Sequence, residues 1–110
     1  MKILSVGRIA PIKNYEVLIG AAQILKNQGV DFSITIVGEP ALELDRAYER
    51  RIRHESSGLN IQFVGKKTQR ELPYLYRSHD IFVHMSRTGS LDKVLLEAMA
   101  CGMSVISCND

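Results

Sequence analysis

Five short apolar runs, each followed by a turn and a segment of helical periodicity, constrain what this chain can fold into. They are residues 1–6 (MKILSV), 32–37 (FSITIV), 60–64 (NIQFV), 80–85 (DIFVHM) and 103–107 (MSVIS). Their apolar residues are near-continuous rather than alternating, the pattern of strands covered on both faces of a parallel sheet. Between the first two runs, residues 14–28 place Leu18, Ala21, Ala22 and Leu25 on one helical stripe, with Lys26 in the last turn and Gly29 as a left-handed cap. Residues 42–57 predict a second, charge-rich helix that stops at Gly58. Residues 69–78 predict a short third helix capped by Thr68, with Pro73 tolerated only in its first turn or at a kink. A fourth helix is expected from Asp92 onward. Alternating strands and helices with right-handed crossovers give a doubly wound, Rossmann-like α/β fold, and we expect strand order 3-2-1-4-5.

A chain of 110 residues supports one compact domain. A net charge of +2 and an aromatic content of 6% speak against nucleic acid as a partner, since neither a basic patch nor a base-stacking platform follows. Cys101 and Cys108 have no metal-ligand or disulfide-framework spacing and read as reduced thiols of a cytoplasmic protein. No apolar run approaches the ~18 residues of a membrane span, and the first residues read as a strand rather than a signal peptide. His54, His79 and His84 are scattered, so none is a metal ligand candidate. Arg46, Arg50 and Arg53 recur at helical spacing with Glu43 and Glu49 interleaved, the composition of a solvated face.

In such folds ligands bind beyond the carboxyl ends of the strands, where the strand order reverses. For order 3-2-1-4-5 the loops there are residues 7–13 (GRIAPIK) and 86–92 (SRTGSLD). The first sets Arg8 and Lys13 either side of a proline turn, a forked donor and a mobile point charge that both suit phosphate oxygens. The second opens the stretch 88–102 (TGSLDKVLLEAMACG), in which small residues and the N-cap candidate Asp92 lead into a helix. Free amides and the positive dipole end at such a helix start attract anions. Taken as residues alone, Arg8 and Lys13 read as ordinary surface cations before they read as phosphate ligands. Glu97 likewise reads first as half of an exposed pair with Lys93, one turn earlier.

Ser86, a loop and then LLEAMACG resemble the end of the donor-nucleotide motif of the retaining GT-B glycosyltransferases of family 4, the glycosyl transferases group 1 type. Members of that family read P-S-x-x-E-G-F-G-x-x-x-x-E-A-M-A-x-G. Here the second glutamate is Glu97, the first is replaced by Gly89, and the G-F-G positions read Ser90, Leu91 and Asp92. Gly7-Arg8 followed by Lys13 resembles the family's G-R-x-x-x-x-K. The resemblance spans nearly the whole chain and implies the carboxyl-terminal, donor-binding half of a GT-B enzyme.

It implies Arg8 and Lys13 as the catalytic cations on the donor diphosphate, with Gly7 and the amides of Ser90, Leu91, Asp92 and Lys93 beside them. It implies Glu97 as acceptor of ribose hydroxyls, and Val64 and Lys66 as backbone neighbours of the base. The donor would be a nucleotide-diphosphate sugar, with neither metal nor cofactor. Gly38-Glu39-Pro40 resembles the family's G-x-G-x turn; it reads first as a turn, and only the resemblance implies a nucleotide contact there. The acceptor domain and the family's closing strand and helices are not in these residues, so the chain alone is expected to be inactive. Its fifth strand is expected to keep an open side that favours self-association. A lipid-linked acceptor would place the full-length enzyme at the inner membrane face.

Gly89 leaves a second reading open, a non-catalytic nucleotide-diphosphate binder that has lost the donor-sugar contact. A phosphoacceptor receiver domain has similar topology, but its first strand ends in acidic residues where this one ends in Gly7-Arg8.

Overall fold

The computed structural model describes residues 1–85 and 93–107. Five parallel strands form one sheet in the order β3-β2-β1-β4-β5, the order expected. They are β1 (Lys2–Val6), β2 (Ser33–Val37), β3 (Ile61–Gly65), β4 (Ile81–His84) and β5 (Ser104–Ser107). Helices α1 (Tyr15–Asn27), α2 (Glu43–Glu55), α3 (Leu72–Ser78) and α4 (Lys93–Ala100) connect them. β1 pairs with β2 in register from Lys2↔Ser33 to Val6↔Val37 and with β4 at Ile3↔Ile81. The β2–β3 ladder slips between Ile36 and Val37, which brings Val37 opposite Gly65.

Alternate strand residues supply two cores, which explains why the strand sequences are continuously apolar. Ile3, Ile34, Ile36 and Val83 pack with Leu18, Ile19 and Ala22 of α1 and Tyr48 and Ile52 of α2. Leu4, Val37 and Phe82 pack on the opposite side with Leu72 and Tyr76 of α3 and Ala98 of α4.

Two local expectations are corrected. The buried stripe of α1 is Tyr15, Leu18, Ile19 and Ala22, while Ala21 is exposed. At 100° per residue Ala21 lies about 60° outside the arc that runs from Leu18 through Ala22 and Tyr15 to Ile19. The third helix starts at Leu72 and not at residue 69. Thr68 and Glu71 cap each other across the preceding turn. The Glu71 carboxylate accepts from the Thr68 amide at 3.1 Å, and Thr68 Oγ1 accepts from the Glu71 amide at 3.3 Å. Pro73 then has no N–H to return to Gln69, so the regular ladder begins only beyond that turn. Gly29 is left-handed as expected, with φ of 73°. Ion pairs Arg46–Glu43 and Arg53–Glu49 make the outer side of α2 the solvated face its composition indicates.

The phenols of Tyr15, Tyr48 and Tyr76 are all buried, and burial pushes each above the range of an exposed tyrosine. The glutamates Glu16 and Glu97 push Tyr48 and Tyr76 further in the same direction. Above about pH 10 the unfolded chain releases phenolic protons that the folded chain retains. Stability should therefore hold below about pH 10 and fall above it, by up to about 1.4 kcal/mol per pH unit for each buried phenol. Urea unfolding repeated between about pH 8 and pH 11 checks this, and a flat profile would contradict it.

Candidate functional site

The carboxyl ends of β1, β2 and β3 are drawn together by backbone contacts that leave almost no space between them. The Gly7 amide donates to the Val37 carbonyl at 2.9 Å, and the Gly38 amide donates to the Gly65 carbonyl at 2.9 Å. Beyond them, the Ile9 amide donates to the Glu39 carbonyl at 3.2 Å. The Gly7 carbonyl accepts from the Tyr15 hydroxyl at 3.2 Å and lies directly against Gly38. Gly38-Glu39-Pro40 is thus more than a turn: it is where β2 closes on the loop after β1.

Above these strand ends lies a cleft of about 290 Å³, lined by Gly7, Arg8, Gly38, Glu39, Lys66 and Lys67 among others. Three cations face one carboxylate there, so the cleft suits an anionic ligand. The Arg8 side chain is 47% exposed, and its Nε lies 3.7 Å from Oδ2 of Asp45. Residues 11–13 form a 3-10 turn that ends on Asn14 in the left-handed conformation (φ 56°), a backbone position asparagine tolerates. That turn lays the Lys13 stem alongside Gly7, whose missing Cβ would come within 3.5 Å of Lys13 Cε.

Of the residues the sequence singles out, the cleft unites Gly7, Arg8, Lys66 and the segment Gly38-Glu39-Pro40. Lys13 flanks it through Gly7. Val64 packs against the second core, so its side chain belongs to the interior rather than to the cleft. Ser90, Leu91 and Asp92 lie outside the described residues, as does Gly89. α4 begins at Lys93, directly after the expected cap.

Glu97 is half-buried on α4 and accepts a hydrogen bond from the Tyr76 hydroxyl at 3.3 Å. Tyr76 is itself buried edge-to-face against Phe82, with ring centroids 6.0 Å apart and planes at 68°. His79 is engaged structurally, through the Leu75 carbonyl at 2.8 Å and Thr35 Oγ1 at 3.1 Å. His84 is buried at the end of β4.

The glycosyl transferases group 1 family model matches residues 1–110. The chain belongs to that family. It is 33% identical over 109 residues to D-inositol 3-phosphate glycosyltransferase of Salinispora arenicola, a match covering 93% of this chain and 24% of that protein. Among solved structures, the C-terminal domain of the group 1 glycosyl transferase LpcC from Francisella tularensis is 30% identical, with a TM-score of 0.75. That match covers 96% of this chain and 56% of the domain. Anabaena HepE, solved in complex with UDP and glucose, shares the fold at a TM-score of 0.83 and 22% identity, over 96% of this chain and 28% of HepE. The chain thus spans about a quarter of the length of the curated relatives it matches. Among the described residues of this family member, no helix is long and apolar enough to cross a membrane.

Sequence reasoning missed Lys67, Asp45 and Tyr76, and it noted Glu39 only as part of the segment Gly38-Glu39-Pro40. An acidic residue in the first turn of a helix was a usable signal for Asp45. Nothing local marks Tyr76, whose importance comes from α3 packing beside α4.

Proposed function

We propose that this chain is the donor-binding part of a retaining family 4 glycosyltransferase, which moves a sugar from a nucleotide-diphosphate sugar to an acceptor held by another domain. The observation that carries the reading is the cationic cleft at the strand ends, where Arg8 and Lys66 meet a floor of close-packed glycine backbone. UDP in the HepE complex, on the same fold, supports it. In this proposal Arg8 and Lys13 neutralise the charge that grows on the departing diphosphate, together with the amides of Ser90, Leu91, Asp92 and Lys93. Glu97, steadied by Tyr76, accepts from the ribose hydroxyls, and the backbone around Val64 and Lys66 faces the base. No metal takes part. The proposed setting is cytoplasmic, and the 110-residue chain alone binds nucleotide without transferring sugar.

Gly89 favours the second reading, a nucleotide-diphosphate binder without sugar contact. One experiment addresses both. The chain is titrated calorimetrically with UDP, GDP and ADP, each beside its sugar conjugate. Saturable binding of one base is expected, weakened about 10- to 100-fold in Arg8→Ala, as befits loss of a charge-assisted contact. No binding by the folded chain, or binding indifferent to Arg8→Ala, would refute the donor-site reading. A sugar conjugate that binds no more tightly than its bare nucleotide would favour the non-catalytic binder.

A further inference from the structure

Asp45 is a buried carboxylate, with a side chain only 6% exposed, beside the cleft that Arg8, Lys66 and Lys67 line. Its Oδ2 accepts from the backbone amides of Leu42 at 3.2 Å and Ala41 at 3.4 Å, which caps the first turn of α2. A carboxylate removed from water needs such partners, and a helix start favours its charge. A cap requires nothing beyond its own helix, however, and Asp45 does more. The same Oδ2 reaches the loop after β1, 3.7 Å from Nε of Arg8. It therefore ties together two walls of the cleft, the loop carrying Arg8 and the segment from Gly38 to Ala41. The contact uses the Nε edge of the guanidinium. The terminal amino groups, the pair that matches two phosphate oxygens, are not the ones Asp45 engages.

We propose that Asp45 is a positioning residue for Arg8, holding its guanidinium by Nε so that the terminal amino groups face the diphosphate. This rests on reading the cleft as a nucleotide-diphosphate site. Two effects oppose each other. The carboxylate repels a diphosphate, but two amides and a helix end already offset its charge. Releasing Arg8 would instead leave a long, exposed side chain to be ordered at each binding event, a loss of about threefold to tenfold in affinity. The ordering effect is the larger.

The test is UDP titration of the chain and of Asp45→Asn, Arg8→Ala and the double variant, with the Arg8 Nε–H followed by proton–nitrogen NMR. Asparagine keeps an oxygen for the Ala41 and Leu42 amides but loses the charge that attracts Arg8 Nε across 3.7 Å, so the cap survives while the hold on Arg8 is lost. Asp45→Asn is expected to weaken UDP about threefold to tenfold, and to have no further effect in the Arg8→Ala background, because it acts only through Arg8. Its Arg8 Nε–H should exchange with water faster than in the parent chain. An equal loss in both backgrounds, or tighter UDP binding, overturns the positioning role while leaving the donor site intact. Where the parent chain binds GDP or ADP instead, that nucleotide replaces UDP in the series; failure of the folded parent chain to bind any of the three overturns the underlying reading and this role with it. Should Asp45→Asn not fold, the parent chain alone decides. Arg8 Nε–H exchange slower than that of the exposed Arg50 supports the contact, and exchange equally fast refutes it.

Discussion

Gly38→Ala is expected to destabilise the fold by about 3 kcal/mol or more, the most damaging single methyl the chain can receive among its described glycines. A Cβ at Gly38 would sit 1.9 Å from the Gly7 carbonyl oxygen and 2.9 Å from its carbon. The obstacle is backbone, and it is pinned from three sides, by the Val37 carbonyl, the Tyr15 hydroxyl and the pairing of Gly38 itself with Gly65. Relief therefore means separating the ends of β1 and β2. The φ of 146° at Gly38 adds a conformation that alanine resists. With total stabilities of roughly 5–15 kcal/mol for such domains, the variant would be marginal. Urea unfolding measures the loss. Gly20→Ala is the control: Gly20 is exposed within α1 with nothing within 4 Å of its would-be Cβ. That change should stabilise by about 0.5–1 kcal/mol. Equal effects of the two substitutions would disprove the close approach.

The second large effect separates packing from function at Tyr76. Tyr76→Ala should cost about 3–5 kcal/mol, because it removes a buried ring that packs edge-on against Phe82. Tyr76→Phe keeps the ring and removes only the hydroxyl, at roughly 1 kcal/mol. That hydroxyl is the donor to Glu97 Oε2. If Glu97 meets the ribose, Tyr76→Phe should weaken whichever nucleoside diphosphate the chain binds several-fold and leave inorganic pyrophosphate, which has no ribose, unaffected. Parallel loss of both ligands would place Tyr76 behind the diphosphate contacts instead. No loss of either would confine it to the core.

Strand continuity and helical periodicity made the architecture legible before any coordinates. Strands buried on both faces must be apolar at every position, and right-handed crossovers leave few ways to order them. The family followed from two loops, because Arg8, Lys13 and Glu97 stand at the spacing the motif demands. The start of α3 was misplaced because Pro73 deletes a ladder bond whose consequence depends on how Thr68 and Glu71 pair. Gly38 looked like a turn glycine, since nothing nearby in sequence reveals what its missing Cβ would strike.

What the residues determined by themselves is the doubly wound sheet and the end of it at which ligands should gather; the order of the strands they narrowed to a few. These depend on hydrophobic period, chain direction and handedness, all of which are local or general. Only the tertiary structure decided which side chains act together there. The contact of Gly38 with Gly7, the ion pair of Asp45 with Arg8 and the bond from Tyr76 to Glu97 each join separate elements. Such pairings come from how packed elements meet, and close packing permits one arrangement where sequence spacing alone permits many.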